Sequence, residues 1–453
     1  MKKIASIFKN KEIMTRIMFT IMILLVIRIG AAITVPRVIA KPELKDAMNS
    51  ASAVALMDML GGGALESFSI FALGVSPYIT AQIIIQLLSK DVLPAFTELS
   101  KQGQYGRKKT EMATRYLTLM LGAVQAYGII KTMENSQYVE VNFLGSTPFL
   151  TFMTYAYIVT IMLAGAMTVM WLGDQITDKG LGNGISMVIF AGIVRGLPNK
   201  IKSAFLNWVG QSGAYKAPSE VIKGWILFIV YLIAFVLILA FVVFIELAKR
   251  KIPVQHTGKS GGQTASMSRA SFLPIKVNSA GVIPVIFASS IMMTPTVIAS
   301  FITADSPKWL KIFSYTEMYD MGGWSMPWGL IIYISLIMLF AFFYATLQID
   351  PEQLAENFRK NGSYIPGVRP GNETERYVKK VVNRVTCIGA FALTFIAALP
   401  VILTLTGVFD SSLAIGGTGL IIAVGVSLEL NDQVNGLLAG KTFDEVQATA
   451  GRE

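Results

Sequence analysis

Nine apolar runs in this chain, at about 17–35, 113–132, 149–172, 184–206, 222–246, 277–302, 327–347, 383–405 and 413–430, come close to the length a bilayer crossing needs. A helix needs roughly 20 apolar residues to span the hydrocarbon. A tenth run, at 64–89, is different: it is broken at Gly74 to Pro77 and restarts as an apolar helix of about a dozen residues. Proline is tolerated at the first turn of that second piece, because its missing N–H would have no intrahelical partner there. Neither half alone reaches across. Irregular backbone at membrane depth survives only where protein or a water-filled cavity covers it. A broken helix in this setting therefore points to a path, a gate or a binding site.

The rest of the composition agrees with a membrane solvent. Of 453 residues, 53% are hydrophobic and 15% charged, with a mean hydropathy of +0.57; soluble domains carry about a quarter charged residues. The reading is an all-α polytopic membrane protein with ten transmembrane helices. The single Cys387 and single His256 leave no material for a disulfide framework or the usual Cys/His metal centre. The basic N-terminus followed by apolar residues imitates a secretory leader, and Val38-Ile39-Ala40 imitates a cleavage site, but the apolar region continues past Arg28 and more spans follow. It reads as a retained first span.

With ten spans both termini lie on one side. The N-terminus, the tail and the loops near 90–115, 173–183, 247–276 and 348–384 hold 27 of the 39 Lys and Arg residues. That bias places both ends in the cytoplasm, so the net charge of +11 records topology and not nucleic acid; no specific DNA partner is expected. Two of these loops are longer and more basic than orientation requires. One carries Lys249, Arg250, Lys251, Lys259, Arg269 and Lys276; the other presents Arg369 in Tyr364-Ile-Pro-Gly-Val-Arg369-Pro-Gly371. Arginine on rigid Pro/Gly turns suits an acidic docking partner, and anionic lipid is the competing reading. On the other side, the connection 304–326 is aromatic-rich (Trp309, Phe313, Tyr315, Tyr319, Trp324) and reads as interfacial.

Catalytic signals are missing. There is no Walker A loop, no H-E-x-x-H and no G-x-S-x-G; no catalytic residue, cofactor or metal is expected. Gly180-Leu-Gly-Asn-Gly184 lacks a βαβ setting and reads as a tight turn with close helix packing. Arg28 is the clear ionisable group inside a span, favouring a polar structural contact. Ion-coupled carriers place carboxylates or histidine near the midplane, so a secondary transporter of inverted repeats is the weaker alternative. What the spans do offer is β-branched residues spaced by four: Ile79 and Ile83, Ile185 and Ile189, Val282 and Ile286. Each pair shares a helix face, next to Pro77, Gly184 or Pro284. Meeting in the interior, such stiff apolar side chains would close a pore by excluding water.

A series of motifs begins with Ile70-Phe-Ala-Leu-Gly74, Pro77-Tyr-Ile and Ile83-Ile-Ile-Gln-Leu-Leu88, then Gly182-Asn-Gly-Ile-Ser186 with Phe190-Ala-Gly-Ile-Val194. Lys276-Val-Asn-Ser-Ala-Gly-Val-Ile-Pro284 with Ile286-Phe-Ala-Ser-Ser-Ile291, Pro366-Gly-Val-Arg-Pro-Gly371 and Gly416-Gly-Thr418 continue it, in order, over essentially the whole chain. Together these motifs resemble the SecY family of protein-conducting channels.

The resemblance implies two pseudo-symmetric five-helix halves, 1–206 and 222–430, joined by an external hinge loop at 207–221 and followed by a cytoplasmic tail at 431–453, around a central hourglass pore. It implies a pore ring of Ile79, Ile83, Ile185, Ile189, Ile286 and Ile422. A plug from about Gly62 to Ala72 would be carried by Gly62, Gly63, Ala64, Leu65, Glu66, Ser67, Phe68, Ser69 and Ile70. Thr80, Gln86, Asn278, Ser289 and Ser290 would line or flank a lateral gate. Lys249, Arg250, Lys251 and Arg369 would dock the SecA ATPase or the ribosome, with SecE and SecG-type small membrane subunits bracing the channel. Signal peptides, unfolded preproteins and membrane lipid complete the expected partners, and the bacterial plasma membrane the expected location.

Overall fold

In a computed structural model the chain is mostly helical. The structure describes residues 10–44, 58, 61–89, 94–145, 147–210, 218–256, 271–302, 312–313, 319–320, 325–406 and 417–450. The expectations for Trp309, Tyr315, Trp324, Lys259, Arg269 and Gly416, and for much of the 207–221 connection, lie outside these residues.

Each of the ten apolar runs contains a helix, which in the broken run 64–89 occupies the second half. These are α1 (Lys11–Gly30), α2 (Ser76–Leu88), α4 (Gly103–Asn135), α5 (Pro148–Lys179), α6 (Gly184–Phe205), α7 (Pro218–Leu247), α8 (Ile283–Ile302), α9 (Trp328–Gln348), α11 (Asn372–Leu405) and α12 (Gly417–Ala450). Two short helices, α3 (Pro94–Lys101) and α10 (Pro351–Lys360), belong to the basic connections. By length and composition α1, α5, α7, α9 and α11 are long and apolar enough to cross a membrane, and α2 and the first half of α8 are shorter apolar helices. α4 has 33 residues, beginning ten residues before its apolar run. At 1.5 Å per residue it is about 50 Å long, so its Arg107-Lys108-Lys109 end projects past any hydrocarbon layer.

Packing sorts the long helices into two groups. α1 lies on α5, α2 on α4, α4 on α5 and α5 on α6; in the second group α8 lies on α9, α9 on α11, and α7 on α11 and α12. The groups touch where α4 meets α8 and where α6 meets α12. α7 is the exception to burial: 11% of its apolar window is covered, and Val236, Leu237 and Phe244 face outward.

The turn between α5 and α6 shows why glycine stands at its corners. Asn183 caps α6, accepting the N–H groups of Ile185 (3.1 Å) and Ser186 (3.4 Å) on its Oδ1. A Cβ on Gly184 would overlap the Gly173 carbonyl of α5. The same turn reaches both groups, since Leu181 N–H donates to Thr20 Oγ1 on α1 at 3.0 Å and Gly182 N–H donates to Gln433 on α12. The spaced glycines are thus a packing joint, as their sequence context suggests.

One feature departs from the sequence reading. The basic connection after α7 is a β-hairpin, β1 (Lys249–His256) and β2 (Ser271–Lys276), with Lys249 opposite Lys276 and Val254 opposite Ser271. A further strand pair, Ser363–Tyr364, adds to its end against Gln255 and His256. Alternation explains it: Ile252 and Val254 point inward while Lys249, Lys251 and Gln255 point out. Ile252 and Ile275 pack with Ile365, Val378, Val382 and Val385 of the second basic connection. Three consecutive basic residues, Lys249, Arg250 and Lys251, mask this period when composition alone is read.

Gly184→Leu is expected to force α5 and α6 apart and to destabilise the fold by about 1–3 kcal/mol. Thermal unfolding of the purified protein in lipid nanodiscs measures this, and an unchanged midpoint would contradict the joint.

Candidate functional site

The six isoleucines come from four helices: Ile79 and Ile83 on α2, Ile185 and Ile189 on α6, Ile286 on α8 and Ile422 on α12. They meet. Five of them are core members of one buried cluster and Ile185 packs against it half-buried. Ile79 is 9% exposed and the other four between 4% and 7%. The cluster is completed by Ile23 and Ile27 of α1, Val169 and Leu172 of α5, and Phe340 and Tyr344 of α9, so both helix groups contribute to it. The four-residue spacing puts each pair on the inner face of its helix. Such a junction seals by packing alone, with no hydrogen bond to break on opening.

The segment before α2 is seated against this cluster. It forms a succession of turns from Gly61 to Val75 and not a helix. Leu65 and Phe68 are fully buried in a second apolar cluster with Val35, Ile130, Met133, Ile158 and Met162, while Phe71 and Val75 face the isoleucines. Backbone bonds tie the segment to the chain after α1: Val35 N–H donates to Phe68 O at 3.0 Å and Ile70 N–H to Ile33 O at 2.9 Å. Ser67 Oγ donates to Ala31 O at 2.8 Å. A Cβ on Gly192 of α6 would come within 2.5 Å of Gly62 Cα, so the segment's first turn requires a bare backbone on its neighbour.

Four charges lie in or around this segment, of which the sequence points to two, Arg28 inside a span and Glu66 within the expected plug. Arg28 Nη1 donates to Gly62 O at 3.0 Å. Arg195 of α6 donates to Gly63 O and forms an ion pair with Glu66 Oε2 at 2.7 Å. Asp58 Oδ1 accepts the N–H groups of Leu65 (2.8 Å) and Glu66 (3.1 Å). Burial pushes the Asp58 carboxyl above its ordinary range, against the pull of those two N–H donors and of Arg195. Arg28 is a polar structural contact, as expected. Arg195 was hidden because, in the sequence, it lies near Lys200 and Lys202 and reads as part of a loop-proximal basic group; its place inside the run 184–206 was the signal available.

The residues expected along the seam divide. Tyr344 OH on α9 donates to Gln86 Oε1 on α2 at 3.2 Å, so Gln86 does bridge the two helix groups, through a tyrosine not foreseen. Thr80 Oγ1 donates to Ser76 O at 3.1 Å, and Ser289 and Ser290 both donate to Ile286 O at 2.8 Å. These hydroxyls are satisfied within their own helices, so α2 and α8 can part without orphaning them. Asn278, in the turn before α8, bonds to another element. Its Nδ2 donates to Glu246 Oε1 on α7 at 2.6 Å, and its backbone lies against Gly389 of α11. The turn that precedes α8 commits this amide to α7, where it answers a half-buried carboxylate, and not to α2 or α4.

The basic residues share one platform. Lys249, Arg250, Lys251 and Arg369 are all exposed. Tyr364 OH donates to Gln255 Oε1 at 2.8 Å, joining the two connections, and Thr374 Oγ1 donates to Arg369 O at 2.9 Å, fixing the turn that carries the guanidinium.

Comparison with known proteins agrees with this geometry. The SecY family model matches residues 69–431. The protein translocase subunit SecY 1 of Lactobacillus kefiranofaciens is 44% identical over 96% of this chain and 97% of its own length. The SecY subunit of Bacillus subtilis is 40% identical, with 98% of each covered. Among solved structures, a protein-conducting channel superposes with a TM-score of 0.63 at 18% identity, covering 93% of this chain and 91% of the other. A SecY structure concerned with the plug domain and the closed state gives 0.60. The chain belongs to the SecY family.

Proposed function

We propose that this chain is the channel subunit through which unfolded preproteins cross the bacterial plasma membrane, or leave sideways into lipid. The carrying observation is the meeting of six isoleucines from both helix groups in one buried cluster, with the segment before α2 seated against it through Phe71 and Val75. A collar of apolar side chains offers no charge to a passing ion and excludes water. It makes no directional bond with a threaded polypeptide, so any sequence can slide through. The 62–70 segment acts as the plug. The α2/α4 against α8/α9 seam acts as the lateral gate, where a sufficiently apolar segment is more stable in lipid than in a wet pore.

In this reading all ten long helices span the membrane as two halves, 1–206 and 222–430, with both termini cytoplasmic. α2 and α6 do so despite their length or charge because the other helices cover them. Motive force comes from outside the chain, from the SecA ATPase or the ribosome docked on the basic platform. SecE and SecG-type small subunits fit the uncovered apolar flanks, of which α7 is the largest. The chain itself needs no catalytic step.

Vesicles containing this chain, SecE and SecA test the reading: a preprotein should become protease-protected only when ATP is added. Protection without ATP, or none with it, would contradict the proposal. Ile286→Asn removes about 2–3 kcal/mol of apolar burial and is expected to raise passage of a preprotein with a defective leader by about tenfold; Ser290→Arg should act in the same direction. Equal passage in the parent and both variants would remove these residues from the gate. Arg369→Glu is expected to abolish SecA-dependent protection while the protein remains inserted, and normal protection would remove Arg369 from docking.

A further inference from the structure

The collar needs only apolar packing, yet the plug is also held by a balanced set of charges. Two cations sit on the scaffold, Arg28 on α1 and Arg195 on α6. Two anions travel with the plug: Glu66 lies within it, and Asp58 is bonded to it through the Leu65 and Glu66 N–H groups and through its own carbonyl, which accepts Gly63 N–H at 2.7 Å. Each cation also holds a plug carbonyl, Arg28 that of Gly62 and Arg195 that of Gly63. Arg28 lies within electrostatic reach of Arg195, Asp58 and Glu66. The second amino group of Arg28 is buried without a hydrogen-bond partner among the described residues, so its charge is answered by these neighbours.

We infer that the Glu66–Arg195 pair, backed by Arg28 and Asp58, is a charge latch that determines how strong a leader must be to open the channel. The inference rests on reading 62–70 as the plug. Moving the plug outward separates two positive from two negative charges that are partly buried, the Glu66 and Arg195 side chains keeping 23% and 37% of their surface exposed, so that their attraction exceeds that of the same charges in bulk water. It also leaves two guanidinium groups facing each other with no carboxylate. Both effects pull the plug back once a preprotein has passed. Leaders that occupy the seam weakly cannot hold the latch open; strongly apolar ones can. Arg195 is a positioning residue here: it meets plug atoms and not the passing chain.

The test compares passage of a preprotein with a defective leader against one with an intact leader, as a ratio, in vesicles containing SecE and SecA. Glu66→Gln and Arg195→Gln are each expected to raise the ratio about five- to tenfold, the range for a charged hydrogen bond partly exposed to solvent. The double variant should rise no further than the larger single one, because both remove the same pair. Arg195→Lys should fall between parent and Arg195→Gln, since an ammonium keeps the charge but lacks the fork that reaches carboxylate and carbonyl together. A second arm locks the plug with Thr34→Cys and Ser69→Cys, residues paired across an antiparallel bridge and so within disulfide reach, in a Cys387→Ser background. Oxidation should stop passage and reduction restore it. If the lock stops passage but the latch variants leave the ratio unchanged, or the single effects add in the double variant, the latch is overturned and the plug reading stands. Unimpeded passage through the locked protein overturns the plug reading and the latch with it.

Discussion

The contact on which everything else depends is the apolar junction where α2, α6, α8 and α12 bring their isoleucines together. Both helix groups contribute to it. They also meet along two seams, α4 with α8 and α6 with α12, and where the end of α6 packs on Tyr231 and Phe228 of α7. Because packing energy here is spread over many weak, non-directional contacts, the junction closes tightly yet has no single bond whose loss is prohibitive. A polar ring would grip ions and the passing peptide backbone alike; an apolar one does neither.

Around that junction the structure divides labour between grease and charge. Leu65 and Phe68 anchor the 62–70 segment to the N-terminal helices, while Arg28 and Arg195 hold its backbone carbonyls and Arg195 pairs with Glu66. The proposed seam is built the opposite way. Thr80, Ser289 and Ser290 satisfy their hydroxyls internally, and a tyrosine–glutamine bond joins α9 to α2 there. In the proposed reading, a joint that parts is served by groups that need no partner across it, whereas a plug that returns is served by charges that do.

Much of this was legible in the chain. Apolar run length located every long helix, and the four-residue spacing beside Pro77, Gly184 and Pro284 pointed the isoleucines inward. Those signals are local, so a sequence states them directly. What stayed hidden was long-range. Arg195 meets Glu66 across 129 positions, and Tyr344 meets Gln86 across 258; no periodicity encodes such partners. The resemblance places Asn278 at or near the seam, but no local pattern announces that its amide donates to Glu246 on α7. The β1–β2 hairpin is masked because its first three positions are Lys or Arg, which read as a charged loop until buried Ile252 and Val254 are seen to alternate with exposed Lys251, Pro253 and Gln255.

The central claim is that a translocating chain passes through the isoleucine junction. Single cysteines placed at Ile83, Ile189, Ile286 or Ile422 in a Cys387→Ser background, opposite a preprotein arrested in transit with one cysteine of its own, measure this most directly. The account predicts disulfide capture of the arrested chain at all four positions, and none at the outward-facing Phe244 of α7. Capture at Phe244 with none at the four isoleucines would place the path elsewhere and contradict it.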